Sequence, residues 1–273
     1  MTATLITGAS SGIGAALAEV AADRGHDLVL VARRADRLQT LADRLRAAHG
    51  VRTLVVAADL SAEDSAVRVH DEVVGAGWSV DVLVNNAGFA CDGHFLDVPW
   101  RDHRTQLRVL LETPAQLAHC FLPAMLGRGR GHVVNVSSVA GLVAGSPMET
   151  LYGPAKRAMV TFTRNLAEEY RGRGVGFTAV CPGVTATELT EDGYGLELVR
   201  LTPGFLVATP RSVAEETWRG VDAGRTIVVP GRANRVATAA LRALPSPMSM
   251  RVLAMSSRRL DRGAQRALSG TGA

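Results

Sequence analysis

Tyr152 and Lys156 are the two side chains whose types and spacing best suit acid–base chemistry. They lie four positions apart in "YGPAK", residues 152–156, so on a helix they share one face. A tyrosine normally loses its proton near pH 10, and a neighbouring ammonium favours the phenolate and lowers that pKa toward neutrality. Pro154 is disfavoured inside helices, so the helix must begin close to this motif. The pair predicts a general acid or base that works near neutral pH.

Lys156 is also the only lysine of the chain, because the other 29 of its 30 basic side chains are arginines. A guanidinium is always charged, whereas an ammonium is compact and gives up a proton more readily when buried. A position that keeps lysine in such a chain is a candidate for chemistry. The alternative is a chance survivor on a solvated face. A serine hydroxyl from "NVSSVAG", residues 135–141, could hold a substrate carbonyl oxygen beside the pair.

A glycine-rich segment, "TGASSGIG", stands between the first predicted strand and the first predicted helix. Gly8, Gly12 and Gly14 let the backbone turn tightly there and approach a pyrophosphate, and the helix N-terminus adds free N–H groups and a favourable dipole. No Gly-Lys-Ser/Thr follows, which excludes a P-loop. The position predicts a dinucleotide site, with a glycine-rich turn that binds no ligand as the alternative.

Arg33 and Arg34 stand at the end of the second predicted strand, where NAD-binding folds carry an acidic residue for the ribose hydroxyls. An arginine at that place suits a 2′-phosphate, and the pair therefore predicts NADP(H) as the cofactor. A solvated helix start is the alternative.

The elements that position these residues alternate strictly between strands and helices. Continuous apolar runs such as "DLVLVA" are each followed by an alanine-rich helical pattern, as expected of strands buried on both faces of a parallel sheet. We predict a doubly wound α/β sheet (Rossmann fold) of about seven strands with helices on both faces. Residues 1–231 form this domain, with a substrate lid near 184–210, and residues 232–273 form a C-terminal helical extension.

Composition narrows the class of protein. With 273 residues, 47% of them hydrophobic, the chain can bury a large core, and no uninterrupted apolar run predicts a membrane span. No secretory signal is visible at the start, and the three cysteines are far apart, so we expect a cytoplasmic protein with reduced thiols. A net charge of +4 with 4% aromatic residues does not predict a nucleic-acid interface, and no metal site is expected.

Several motifs in order resemble the classical short-chain dehydrogenase/reductase (SDR) family over residues 3–230. They are "TGASSGIG", "DL" at 59–60, "NNAG" at 85–88, "NVSS" at 135–138, "YGPAK" and "CPGVTAT" at 181–187. The resemblance implies hydride transfer between a nicotinamide and a carbonyl or secondary alcohol, with Ser138, Tyr152 and Lys156 as catalytic residues. It implies that the following residues bind the cofactor together with Tyr152 and Lys156: Gly8, Ser10, Ser11, Gly12, Ile13, Gly14, Arg33, Arg34, Asp59, Leu60, Asn86, Ala87, Gly88, Pro182, Gly183 and Thr187.

The sequence departs from the family pattern at two places. Leu110 stands where relatives carry an asparagine that supports a proton-relay water. Ser138 and Tyr152 are 14 positions apart, one more than the commonest spacing, so Ser137 is the fallback for the serine. The departure at Leu110 keeps open a catalytically impaired, nucleotide-binding protein of the same fold. A sugar-nucleotide epimerase or dehydratase is a third hypothesis, which the forms of the glycine loop and "NNAG" disfavour.

The expected partners are small molecules and copies of the same chain. A small carbonyl or alcohol compound is the expected substrate, and the apolar side chains of the lid favour an apolar one. By resemblance we expect a homodimer or homotetramer. Helical patterns on both sides of Pro245 and Pro247 predict that the extension packs on the domain or on a partner subunit, with a membrane-surface helix as the alternative.

Overall fold

A seven-stranded parallel sheet forms the centre of the protein. The computed structural model describes residues 3–91, 93–143, 145, 150–187 and 193–254. The strand order is β3-β2-β1-β4-β5-β6-β7 and every pairing is parallel. The strands are β1 Ala3–Thr7, β2 Asp27–Ala32, β3 Thr53–Ala57, β4 Val82–Asn85, β5 Gly131–Val136, β6 Val175–Val180 and β7 Ile227–Val228. This order confirms the predicted doubly wound fold.

The helices cover both faces of the sheet, as the strand sequences require. Strand β2 has all six residues buried, so its side chains need partners above and below, and two separate apolar clusters supply them. The helices are α1 Gly12–Asp23, α2 Ala35–His49, α3 Ser65–Gly75, α4 Trp100–Leu107, α5 Thr113–Arg128, α6 Tyr152–Glu169, α7 Gly193–Leu201, α8 Pro210–Asp222 and α9 Arg232–Ala243.

A π-helical segment, Arg108–Glu112, joins α4 to α5 without a break and contains Leu110. Nothing in the apolar periodicity predicted this bulge. The continuous helix from Trp100 to Arg128 is long and apolar enough, by length and composition alone, to cross a membrane. Half of its most apolar window is buried in the fold, and its Leu117, Phe121 and Met125 side chains pack into one of the two cores. The helix therefore packs as a core helix of the domain.

The predicted lid is more regular than its glycine-rich sequence suggests. Residues 193–201 form α7, and Gly204–Leu206 form a 3₁₀ turn. Residues 188–192 lie outside the described part of the chain. A parallel bridge between Thr185 and Ala208 joins the two ends of the segment. The extension begins with α9, and a further helical stretch is described from 246 to 254, which starts between Pro245 and Pro247.

Candidate active site

The order of the strands reverses between β1 and β4, and this places a crevice at their carboxyl ends. Chains that leave β1 and β4 turn to opposite sides of the sheet, so the space between them is open to a ligand. The glycine loop follows β1, the "NNAG" segment begins at the end of β4, and Ser138 follows β5. The fold therefore brings together motifs that are up to 130 residues apart in the sequence.

The glycine loop is closely packed and only glycine fits its critical positions. Gly8 and Gly12 have φ angles of +68° and +55°, which side-chain-bearing residues rarely adopt. A β-carbon on Gly14 would collide with the carbonyl oxygen of Gly8. The N-cap of α1, Ser11, makes no side-chain capping hydrogen bond to the helix. The loop thus presents backbone and uncapped N–H groups, the features that hold a pyrophosphate.

Asn86 and Thr7 hold the glycine loop against the end of β4. The Asn86 Nδ2 donates to the Thr7 carbonyl oxygen at 2.8 Å, and the Thr7 Oγ1 accepts the N–H groups of Asn86 at 2.9 Å and Ala87 at 3.0 Å. A β-carbon on Gly8 would lie 2.9 Å from the Ala87 Cα. Asn86 and Ala87 therefore shape the loop directly. Gly88 continues toward Lys156.

Arg34 folds back onto the glycine loop. Its Nη2 donates to the Ser10 Oγ at 3.0 Å and to the Ser11 Oγ at 2.9 Å. Arg33 is exposed and lies close enough to Asp59 to help lower the pKa of that carboxyl, whose main cause is the hydrogen bond from the Ser61 N–H. Both arginines thus follow β2 directly, and the Asp59 carboxylate already accepts two hydrogen bonds from Ser61.

Leu60, which the resemblance places beside the cofactor, packs into the core at the carboxyl end of β3. Its side chain is 7% exposed and belongs to the core, and its carbonyl oxygen accepts a hydrogen bond from the Thr113 Oγ1 at 2.9 Å. Its role in cofactor binding stays a prediction. Ile13 is half-buried and packs against the opposite core, on the first turn of α1.

Lys156 is buried beneath the ring of Tyr152. Its Nζ donates to the Val136 carbonyl oxygen at 2.8 Å and lies 5.7 Å from the centroid of the Tyr152 ring. Burial lowers the pKa of Lys156 to about 8. Helix α6 begins at Tyr152, as Pro154 predicted, so both residues lie on its first turns at the carboxyl end of β5. A buried ammonium that titrates near neutrality is suited to work with a phenol.

The two candidate serines have different environments. Ser137 is 4% exposed, and its Oγ donates to the Lys156 carbonyl oxygen at 2.8 Å, so it ties β5 to α6. Ser138 is half-buried, and its Oγ accepts the Ala140 N–H at 3.1 Å, which leaves the hydroxyl proton available to an outside acceptor. The geometry therefore favours Ser138 over the fallback Ser137 for holding a carbonyl oxygen.

Leu110 packs beside Gly88, close to the Lys156 ammonium. It is 1% exposed, and a β-carbon on Gly88 would lie 2.9 Å from its Cδ2 and 3.5 Å from the Lys156 Nζ. An apolar side chain therefore fills the space beside Gly88 near the ammonium. Lys156 instead donates its hydrogen bond to the Val136 carbonyl oxygen of β5.

The loop after β6 reaches back across the crevice. A β-carbon on Gly12 would lie 3.2 Å from the Thr187 Cβ, so Thr187 stands beside the glycine loop. Pro182 is buried, and its carbonyl oxygen accepts the Val139 N–H at 2.9 Å. Gly183 lies next in the chain. These three residues close the site on the side of β6.

Two groups of residues that the sequence analysis missed support the site. Asn85 Nδ2 donates to the Asn135 Oδ1 at 2.9 Å, and Asn135 Nδ2 donates to the Thr163 Oγ1 at 2.9 Å. This buried chain ties β4, β5 and α6 together below the lysine. The second is Asn234 of α9, whose side chain packs on Gly183. Its position in a predicted peripheral helix gave no signal of this contact.

The fold and the site define a dinucleotide-binding α/β protein with a tyrosine–lysine pair at the crevice. The sequence profile of the short chain dehydrogenase family matches residues 2–194. The chain belongs to this family, which comprises oxidoreductases that act on alcohol and carbonyl groups.

Curated proteins of the family align with about two thirds of the chain. A short chain dehydrogenase of Pseudocercospora fijiensis is 37% identical over 191 residues, 68% of this chain and 60% of the relative. The human very-long-chain 3-oxoacyl-CoA reductase is 31% identical over 193 residues, again 68% of this chain and 60% of the relative. The alignment thus spans less than two thirds of the length of these curated relatives.

Solved structures of the family align over more of the chain. A short-chain dehydrogenase from Sphingobium yanoikuyae in complex with NADPH has a TM-score of 0.78 and 31% identity, covering 88% of this chain and 92% of its own. A short-chain dehydrogenase from Burkholderia phymatum in complex with NAD has a TM-score of 0.77 and 28% identity, covering 87% and 92%. Both forms of the cofactor therefore occur among close structural neighbours.

Proposed function

We propose that this protein is an NADP(H)-dependent oxidoreductase that interconverts a carbonyl compound and a secondary alcohol, with Tyr152 as the general acid or base. The observation that carries the proposal is the buried Lys156 ammonium beneath the Tyr152 ring, 5.7 Å from its centroid. The pair lies at the carboxyl end of β5, beside the crevice that the glycine loop borders. No described contact gives this charge a structural ion-pair partner.

The residues of the site fit the reaction. When bound, the nicotinamide supplies or accepts the hydride. During reduction the Tyr152 hydroxyl donates its proton to the carbonyl oxygen, and during alcohol oxidation the phenolate accepts a proton from the hydroxyl. Lys156 stabilises the phenolate through its charge, and Ser138 donates a hydrogen bond to the same substrate oxygen. A β-carbon would collide at Gly8 and at Gly14, so only glycine allows the tight turn of the loop. Such a turn supports a pyrophosphate in the loop.

The preference for NADP(H) rests on the end of β2. Arg33 and Arg34 flank that end, and Arg34 already contacts the two serines of the glycine loop. Two guanidinium groups there suit a phosphate monoester on the adenosine ribose better than a free hydroxyl. The test is the ratio of kcat/KM with NADPH to kcat/KM with NADH. In Arg34→Ala we expect the ratio to fall at least tenfold, mainly through KM for NADPH.

The control for this test is Arg68→Ala, which removes an exposed arginine from α3. Its ratio should equal that of the wild type. A wild type that favours NADH, or an Arg34→Ala variant whose ratio does not change, would contradict the proposed cofactor preference while leaving the oxidoreductase activity untouched.

An apolar substrate is supported by the side chains that border the carboxyl edge of the sheet. Phe95, Leu96 and Trp100 follow β4, while Leu201 and Phe205 follow β6, and all five are exposed. Two apolar segments from different strands therefore border the same end of the fold. The human relative is named for very long acyl chains. With methyl ketones of increasing length, kcat/KM should rise up to about fourfold per methylene group; a flat series would exclude this substrate class.

A second function is favoured by one observation, the buried Leu110 beside Gly88 near Lys156. A protein that binds the cofactor but turns over no substrate would keep the fold and lose the proton relay. NADPH consumption with aldehydes, diketones and ketones separates the two functions, with Leu110→Asn as the comparison. Turnover by the wild type supports the oxidoreductase, and turnover by Leu110→Asn alone supports the binding protein.

Location and assembly complete the proposal. We place the protein in the cytoplasm, supported by three cysteines that are free thiols in the structure. We also propose a homodimer or homotetramer, on the resemblance to the family. Sedimentation of the purified chain tests the assembly, and a monomer at micromolar concentration would contradict it.

A further inference from the structure

A second cleft lies at the outer edge of the sheet, along β7. It has a volume of about 420 Å³ and is lined by Glu216, Arg219, Gly220, Arg225, Ile227, Val228, Val229, Arg232 and Arg235. We call it the arginine cleft. Since β7 is separated from β4 by two strands, the cleft lies three strand spacings, roughly 14 Å, from the crevice of the candidate active site. It is therefore a different site.

The arginine cleft carries an excess of positive charge. Four guanidinium groups and one carboxylate leave three net positive charges. Arg235 pairs with Glu216 at 2.9 Å. Arg219, Arg225 and Arg232 make no side-chain hydrogen bond or ion pair with any residue that the structure describes. Like charges that converge without partners repel one another, so an anionic ligand would relieve a cost that the free protein bears.

The helix and strand that carry the arginine cleft are fixed by packing. A β-carbon on Gly220 would collide with the Val228 side chain, so α8 lies directly on β7. Glu216 accepts the Gly231 N–H at 2.9 Å as well as the Arg235 guanidinium, which ties the start of α9 to α8. The first turn of α9 also has no side-chain cap, so its N–H groups add to the positive field.

We propose that the arginine cleft binds a ligand that carries at least two phosphate groups. Guanidinium groups donate forked pairs of hydrogen bonds that match phosphate oxygens. Two phosphate groups bring roughly −3 to −4 charges at neutral pH, which balances the three uncompensated arginines. The apolar side of the cleft, Ile227 and Val229, leaves room for an uncharged part of the ligand beside the phosphates. The ligand class is thus an organic pyrophosphate.

The experiment is calorimetric titration of the full chain with inorganic pyrophosphate at fixed ionic strength. The variant Arg219→Ala/Arg225→Ala/Arg232→Ala should lose the cleft's binding step or weaken it at least tenfold. The matched control is Arg68→Ala/Arg104→Ala/Arg173→Ala, which removes three exposed arginines elsewhere and has the same net charge. It should bind as the wild type does. Both variants keep the glycine loop and Arg34, so pyrophosphate bound at the cofactor site contributes equally to all three titrations.

Three results would overturn the proposal. The first is equal weakening in both triple variants, which would mean a response to net charge alone. The second is a cleft variant that binds pyrophosphate as the wild type does, so that no binding step depends on the three arginines. The third is a change of sedimentation coefficient in the cleft variant only, which would mean that this face lies between two copies of the chain.

Discussion

The side-chain amide of Asn234 lies directly over Gly183, where a β-carbon would come within 2.6 Å of the Asn234 Oδ1. The same side chain is 8% exposed, and its Nδ2 donates to the Leu206 carbonyl oxygen at 3.2 Å. One amide thus joins three segments: the loop after β6, the 3₁₀ turn of the predicted lid and the first turn of α9. The start of the C-terminal extension therefore helps to hold the loop after β6 and the 3₁₀ turn in place.

Gly183→Ala should weaken cofactor binding and lower stability together. The new methyl group must displace the Asn234 amide or the loop, and overpacking of this kind costs roughly 1–3 kcal/mol. We expect a lower Tm and a KM for NADPH raised several-fold. Gly204→Ala is the control, because nothing lies within 4 Å of a β-carbon there.

The double variant Gly183→Ala/Asn234→Ala separates this contact from a backbone effect. Removal of the amide makes room for the methyl group, so the two substitutions should be non-additive by about 0.5–3 kcal/mol in the free energy of unfolding. Strict additivity in denaturant titrations would show that the two residues do not press on each other.

Ser138→Ala and Ser137→Ala should separate chemistry from stability. Ser138→Ala removes a hydroxyl whose proton is available to substrate, so kcat should fall about 10²-fold or more, while Tm falls only slightly through the lost cap on Ala140. Ser137→Ala breaks the buried bond to the Lys156 carbonyl oxygen, so it should cost about 1–3 kcal/mol in unfolding free energy. Tyr152→Phe should match or exceed the Ser138→Ala loss. The assignment would be reversed by a Ser137→Ala variant that folds normally and has the larger loss of kcat.

The sequence was sufficient to predict the fold because its signals are local. Apolar runs such as β2 and β5 alternate with helical patterns along the chain. A parallel sheet is the architecture that buries such strands. Pro154 predicted that a helix begins close to it, and α6 begins at Tyr152.

Other features could not be predicted because they depend on contacts between distant segments. Asn85, Asn135 and Thr163 form one buried chain of hydrogen bonds, but each is an ordinary polar residue in its own strand or helix. The π-helical segment around Leu110 has the same apolar pattern as the α-helix that it interrupts. The helix α7 lies in a glycine-rich stretch whose local propensity is weak, so its neighbours decide its structure.

The burial of Lys156 should make the stability of the free protein change with pH in the alkaline range. Its pKa is about 8 in the fold and about 10.4 in an unfolded chain, so between these values the unfolded state binds more protons. The unfolding free energy therefore rises with pH in this window, by up to ~3 kcal/mol from this group. Lys156→Arg stays charged throughout, so its stability relative to wild type should decline steadily from pH 8 to pH 10.5.

Urea titrations of both proteins across that range measure the difference directly. Groups other than Lys156 titrate in both proteins and cancel in the comparison. A constant difference would mean that the ammonium is not desolvated in the free protein. Any desolvation that lowers the pKa of Lys156 would then have to come from the bound cofactor.

His132 should contribute a loss of stability on the acid side. Its Nε2 lies 2.8 Å from the Thr178 Oγ1, and that hydroxyl donates its own proton to the Arg225 carbonyl oxygen at 2.7 Å. The Nε2 must therefore carry the proton, and the Nδ1 faces Gly176, where a β-carbon would collide with the ring. Burial lowers the pKa of His132 to about 4.

A lowered histidine pKa means that the unfolded chain binds the extra proton between pH 6.5 and pH 4. Stability from the neutral ring is complete above pH 6.5 and is lost as the pH falls through that window, by ~3 kcal/mol at most. His132→Gln keeps a donor for Thr178 and does not titrate, so its stability should fall less steeply with acid than that of the wild type. His119→Gln, at an exposed position, controls for the loss of an imidazole. Parallel acid curves for the wild type and His132→Gln would show that the ring is solvated, and acid unfolding would then be governed by other groups.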